Sequence, residues 1–220
     1  MKHSYFFKTT IICLMLLFTI SSVNAQKHRS GAYIGAAIPV GKFASDKDIF
    51  ELVDEFGNDY GIAFSNAASA GFSLTGRYSY LWDGAFSQKD AMGVFGEVSL
   101  VWNSTKKIIK DYYKDQNQAV PSYLMYSIAI GPTYRYYLGK DETISIFGEA
   151  GVLLGSFTLT NMSYSSGLGI GGTFGAGMHY NEWLSVGLYY QFLSDISKKT
   201  ENMMPKITPS VLQLKVGFHF

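Results

Sequence analysis

Thiols are almost absent from this chain. Its one cysteine, Cys13, lies near the amino terminus inside an apolar segment. The rest of the chain therefore carries no disulfide and no thiolate metal site. Charge is scarce as well. Charged residues make up 16% of the chain, against about 25% in soluble domains. The 18 Lys+Arg and 17 Asp+Glu nearly cancel, leaving a formal net charge of +1. No basic stripe points to nucleic acid and no acidic run to a solvating tail. Long apolar runs are missing after residue 25. No stretch there reaches the roughly 20 residues a spanning helix needs. Any crossing of a membrane must be made by strands.

Aromatic residues and glycine, by contrast, are plentiful. Aromatics reach 16%, and there are 23 glycines in 220 residues. The length suits one all-β domain. The amino terminus reads as an export signal. Lys2 and Lys8 form a positive region, Ile11 to Ile20 is apolar, and Ser21 to Ala25 ends in a small-x-small pattern. A secretory signal peptide over 1–25, cleaved between Ala25 and Gln26, is expected. The domain then spans 26–220.

Alternation with period two dominates that domain, the mark of strands with one apolar face. Leu212, Leu214, Val216, Phe218 and Phe220 share a face at the end of the chain, opposite Gln213, Lys215, Gly217 and His219. Leu184 to Phe192 and Leu168 to Tyr180 repeat the pattern. So do Leu124 to Tyr136, Val94 to Trp102 and Phe72 to Tyr80. Two noisier segments, 31–38 and 144–155, bring the count to eight. The connections alternate in length. Long polar loops lie near 41–66, 103–121 and 195–209, and tight turns near 139–142 and 181–182. In the first long loop Ile49, Leu52, Val53 and Phe56 have helical spacing, read as a loop with at most a turn or two of helix.

These features predict an all-β fold, an eight-stranded antiparallel transmembrane up-and-down β-barrel. Eight strands enclose a lumen just wide enough for side chains. The face rich in Gly, Ser and Thr suits that lumen, so the apolar face points to lipid rather than inward as in a lipocalin. Aromatics at the strand ends suit interfacial girdles: Tyr78, Tyr80, Trp82, Tyr134, Tyr136, Tyr180 and Trp183 at the short-turn end, and Trp102, Tyr123, Tyr126 and Phe192 toward the loops. Five charges, Arg77, Glu97, Arg135, Glu149 and Lys215, fall on the inner face. Pairing Tyr80 with Val94 sets Arg77 opposite Glu97. Pairing Leu138 with Ile144 sets Arg135 diagonal to Glu149. The reading is a lumen-filling charge network, with a gated ion path as the sharper alternative.

An exported chain of alternating strands ending in Phe218-His219-Phe220 resembles the small OmpA/OmpX-type outer-membrane barrels over residues 26–220. The resemblance implies that Phe218 and Phe220 form an address read by the barrel-assembly machinery. Where that family often has glycine five positions before the end, this chain has Lys215, with Gly217 nearby. The resemblance further implies outer-membrane lipid and lipopolysaccharide as surroundings, with both termini in the periplasm. No cofactor or metal motif is present. The histidines after residue 25, His28 in an amino-terminal tail and His179 and His219 on the inner face near the short turns, sit away from the long loops. A lipid-modifying enzyme is thus disfavoured, and the stretch from Gly167 to Gly172 reads as backbone packing rather than a phosphate loop. The expected function is non-enzymatic: a filled barrel whose loops are structural, adhesive or partner-binding, with the extracellular partner unspecified. A barrel admitting a small hydrophobic molecule beside Gly169, Gly171, Gly175 and Gly177 is the second reading.

Overall fold

The computed structural model describes residues 27–47, 49–53, 59–138, 143–161, 164–165, 168–194 and 207–220. The expected signal peptide, the Ala25–Gln26 cleavage site, the 139–142 turn and most of the last long loop lie outside the described residues. Among the described residues there are eleven strands and one α-helix: β1 (Lys27–Pro39), β2 (Ile49–Val53), β3 (Asp59–Phe64), β4 (Ala68–Asp83), β5 (Asp90–Thr105), α1 (Lys107–Asp115), β6 (Ser122–Leu138), β7 (Ile144–Leu159), β8 (Tyr164–Ser165), β9 (Gly169–Tyr180), β10 (Leu184–Leu193) and β11 (Ser210–His219). A 3-10 turn occupies Gly41–Ala44.

Eight of the strands form one closed antiparallel sheet. Neighbours run β1-β4-β5-β6-β7-β9-β10-β11, and β1 pairs with β11 to close the ring. Closure leaves no unpaired edge, which a barrel in lipid requires because hydrocarbon cannot hydrogen-bond an exposed backbone. Strands β4, β5 and β7 have 16 residues each, more than the ~9–11 that cross a bilayer, so they run past its surfaces.

The pleat sorts residues as the alternation predicts. Ile34, Leu74, Val94, Ile128, Ile130, Val152, Ile170, Leu188, Leu214 and Phe218 all stand exposed on the outside. Ser73, Thr75, Ser99, Ser127, Thr173, Ser185, Gln191 and Gln213 are buried inside. This is the inverse of a soluble fold, and only a lipid-facing exterior makes it stable.

Both alternative pairings assumed from sequence occur. Tyr80 pairs with Val94 and Arg77 with Glu97. Leu138 pairs with Ile144. The turns use residues that tolerate left-handed backbone: Gly84 between β4 and β5, with φ of 76°, and Asn181 between β9 and β10, with φ of 46°.

Three expectations about the ends need correction. Of the residues given helical spacing above, Ile49, Leu52 and Val53 lie in a strand paired with β3, whose inter-strand hydrogen bonds outweigh a one-turn periodicity, and Phe56 lies outside the described residues. Residues 107–115 fold as α1 inside what reads as a polar loop. Ile109 is the helix's buried anchor. His28 belongs to β1 rather than to a tail. It pairs with Tyr80 and its Nδ1 lies 2.6 Å from the Tyr78 hydroxyl, on the outer face among the girdle aromatics.

Candidate functional site in the barrel lumen

The lumen is filled in three layers. At the loop end it is apolar. Phe43 from the 3-10 turn, Phe64 from β3, Ile109 from α1 and Ile207 pack onto Tyr123, Leu153, Phe157 and Leu193 of the barrel wall. Tyr123 is a further correction. It was assigned above to the outer girdle, yet odd-numbered residues of β6 point inward and it is buried. Its hydroxyl donates to the Ser65 carbonyl and accepts from the Ala67 N–H at 3.0 Å, which ties the chain entering β4 onto the plug. Asn103 donates to the carbonyls of Ala37 and Ser69 at 3.1 and 3.0 Å. The described parts of the first two long loops are therefore folded down over the rim.

The middle layer is ionic. Arg77 on β4 reaches across the lumen and grips Glu149 on β7 with both Nη atoms. Its registered neighbour Glu97 is the more distant acid, at 3.9 Å. Glu97 instead accepts from Lys215 Nζ at 3.0 Å and Gln191 Nε2 at 2.9 Å. Gln213 Nε2 donates in turn to Gln191 Oε1 at 2.7 Å. The side chains of Arg77, Glu97, Glu149 and Lys215 are 0–5% exposed. Aromatic faces complete their environment. The Arg77 guanidinium lies 4.4 Å from the Phe95 ring centroid, and Lys215 Nζ lies 4.5 Å from that of Tyr189. Paired, hydrogen-bonded and backed by π-faces, these charges meet the conditions under which burial is tolerable.

Arg135 departs from expectation. The register does place it diagonal to Glu149, since Thr133 pairs with Glu149. The side chains nevertheless do not meet. Glu149 turns to Arg77, and Arg135 Nη2 turns toward the short-turn end to His179 Nε2 at 2.8 Å. This third layer also holds His219, whose Nε2 is 2.9 Å from Ser185 Oγ and 3.3 Å from the Tyr33 hydroxyl. The Ser185–His219 contact has the length of a nucleophile–base pair. Ser185 is fully buried, however, and no carboxylate among the described residues orients the other imidazole nitrogen. That is hydrogen bonding, not a triad. Among the described residues no group of three His, Cys, Asp or Glu side chains could hold a metal.

Space beside the glycines of β9 is also taken. A Cβ on Gly175 would stand 2.5 Å from the Tyr189 ring, and one on Gly177 would stand 2.7 Å from Phe147. The room beside Gly175 and Gly177 is thus occupied by aromatic rings, so these two positions give the hydrophobic-ligand reading no support. With all three layers in place, purified protein in a planar bilayer is expected to show no stable large conductance; sustained open steps would mean that the ionic layer parts.

On the outside, Tyr78, Tyr80, Trp82, Tyr134, Tyr136, Tyr180, Trp183 and Phe218 lie on strand ends near the short turns or in those turns, and Trp102 lies toward the loops. Trp82, Tyr134, Tyr180, Trp183 and Phe218 are each exposed, and Trp102 donates its indole N–H to Ser122 at 3.1 Å.

A closed barrel with a lipid-facing exterior is matched by a family model, that of the outer membrane protein beta-barrel domain, over residues 10–220. The chain belongs to that family. It is an outer-membrane barrel. No curated protein sequence matches it. Among solved structures it is similar to three small barrels. The attachment invasion locus protein Ail of Yersinia pestis is 17% identical, with 88% of this chain and 99% of that one covered, at a TM-score of 0.39. Neisserial surface protein A is 13% identical, with 89% and 98% covered, at 0.49. The outer membrane enzyme PagL is 14% identical, with 86% and 97% covered, at 0.47. At this degree of likeness no ligand or activity transfers to the chain.

Proposed function

We propose that this outer-membrane barrel is a non-enzymatic, sealed anchor that works through its loop face, as a structural, adhesive or partner-binding protein. The observation that carries the reading is the filled lumen. Among the described residues an ionic layer and an apolar plug occupy the lumen, which supports the loop end as the surface a partner meets. There α1 exposes Lys107, Ile108, Asp111 and Lys114 while Ile109 is held in the plug. The same asymmetry supports an orientation for the proposed anchor. The chain's end and its short turns face the periplasm after removal of a signal peptide at Ala25–Gln26, and the loop end faces outward beside lipopolysaccharide. Even strand number and loop length support this.

The test alters the loop face without touching the barrel. Alanine at Lys107, Ile108, Asp111 and Lys114, with Ile109 retained, is expected to leave a heat-modifiable barrel that fails to restore the phenotype of a deletion strain. Full restoration would place the function elsewhere than on this helix face.

Phe218 and Phe220 support an assembly role. Both are exposed, on the lipid side of the closing strand. Removing Phe220 is expected to reduce the heat-modifiable, membrane-inserted fraction several-fold in cells, while refolding of the purified chain in detergent changes little. Equal loss in both settings would make the residue a stability element rather than an address.

A further inference from the structure

The third layer of the lumen takes no part in the Arg77 network, and its charges do not balance. Arg135, His179 and His219 converge just inside the short-turn mouth, with Arg29 beside them. Arg29 has a partner, because its Nη2 donates to Glu182 Oε1 at 3.1 Å. That glutamate side chain is 81% exposed, which places the pair at the mouth. Arg135 has no such partner. It is 4% exposed and makes no ion pair with a carboxylate among the described residues. Its Nη2 bonds only to an imidazole, and its Nε and Nη1 have no hydrogen-bond partner. Both carboxylates of the ionic layer are already committed, Glu149 to Arg77 and Glu97 to Lys215. Arginine does not shed its proton in proteins. Among the described residues the guanidinium is a full positive charge buried without a counter-charge, a state that costs several kcal/mol.

The unmet groups share a polarity. Arginine can only donate, so His179 Nε2 must accept from Arg135, and the His179 proton then sits on Nδ1. That Nδ1 is also without a partner, as is Nδ1 of His219. Three buried donors therefore face the same end of the lumen: Arg135 Nε, Arg135 Nη1 and His179 Nδ1. A water molecule could satisfy a hydrogen bond but would leave the charge. An anion satisfies both.

We infer that this cluster binds a small inorganic anion, of the size and charge of chloride, just inside the short-turn mouth. Size is set by the walls. The His179 ring is 4.7 Å from Phe147 and 4.8 Å from His219, centroid to centroid, and Tyr33 closes on His219 at 5.4 Å. With these rings packed on one another, a small ion suits the donors better than an organic acid or a lipid headgroup. Access is from the mouth, where His219 is only half-buried. The bound anion joins β6 and β9 at a point where no carboxylate among the described residues does, and so stabilises the closed barrel by binding the folded state alone. The site is at the opposite end from the loop face, and it stands whether or not that face binds a partner.

Bromide is the probe. Crystals of the mature protein in detergent, grown or soaked in bromide, are expected to show an anomalous peak within hydrogen-bonding distance of Arg135 Nε or Nη1. In solution, the melting midpoint is expected to rise saturably by several degrees when gluconate is exchanged for chloride at fixed ionic strength. Arg135→Met is expected to lose the peak and the salt response together. No peak in the native protein, or equal melting in the two salts, overturns the inference. A peak with no saturable stabilisation is an adventitious ion only and overturns it too. Stabilisation by phosphate but not by halide would overturn the size argument. Should Arg135→Met fail to fold, the peak and the salt response of the native protein still decide.

Discussion

Glu149→Gln is expected to destabilise the barrel by about 3–5 kcal/mol, the cost of leaving a buried charge without its partner. Arg77 would keep its position over the Phe95 ring and its contact near Tyr189, but its nearest remaining acid would be Glu97, 3.9 Å away and already bound to Lys215 and Gln191. The loss should therefore exceed that of a surface pair, which is worth about 0–1 kcal/mol. A double change, Arg77→Met with Glu149→Leu, removes both charges and should recover most of the stability, since well-packed apolar residues replace buried ion pairs at little cost. Urea unfolding in detergent, followed by tryptophan fluorescence and the heat-modifiable band shift, measures both. A single-variant loss below about 1 kcal/mol would show that water reaches Arg77 and that the layer is no seal.

A second large effect is expected at a glycine. Gly171 on β9 pairs with Leu193 on β10 and Leu153 on β7. A Cβ added there would fall 1.8 Å from the Phe192 carbonyl oxygen. The obstacle is backbone, so no rotamer change relieves it; strands β9 and β10 must separate. Gly171→Ala should cost about 3 kcal/mol, at the upper end for overpacking, and should lower the yield of refolded barrel. Gly148 on β7 is the matched control. A Cβ there meets nothing within 4 Å, because Gly148 faces the lipid. Gly148→Ala should be neutral or slightly stabilising, as alanine reduces the freedom of the unfolded chain. Equal behaviour of the two variants would mean that the β9–β10 approach relaxes readily.

The run from Gly167 to Gly172 illustrates what a motif is worth without its setting. In isolation it resembles a phosphate loop. In place, Gly169 to Gly172 lie within β9, and Gly171 is there because a neighbouring backbone passes too close for any side chain. The sequence reading of backbone packing rested on alternation continuing through these residues, and the alternation does continue. The hydrophobic-ligand reading loses support at Gly175 and Gly177 for the converse reason. Glycine marks missing volume on its own strand, but whether Tyr189 and Phe147 from adjacent strands fill that volume depends on rotamers that no period reveals.

Similar limits apply at the loop end. The pattern Ile108, Ile109, Tyr112, Tyr113 in α1 is a helical signal, but it is one turn deep and flanked by lysines and aspartates, so composition masks it. Conversely, helical spacing near residue 50 belongs to a strand because a pairing partner lies ten residues on. Short segments of either type take their structure from what they pack against.

Local period decided the rest. A strand's two faces follow from its pleat, so the residues themselves determined which side of each strand is apolar, how many long alternating strands there are, and that Arg77, Glu97, Arg135, Glu149 and Lys215 all point inward. Only the closed barrel decided which of them meet. Arg77 sits opposite Glu97 along the sheet, yet it binds Glu149 from across the lumen. Arg135 sits diagonal to Glu149, yet it turns away to His179. Register is a property of neighbouring strands and can be read from two segments. Contact across a lumen depends on the curvature of all eight strands at once, and that is written in no one of them.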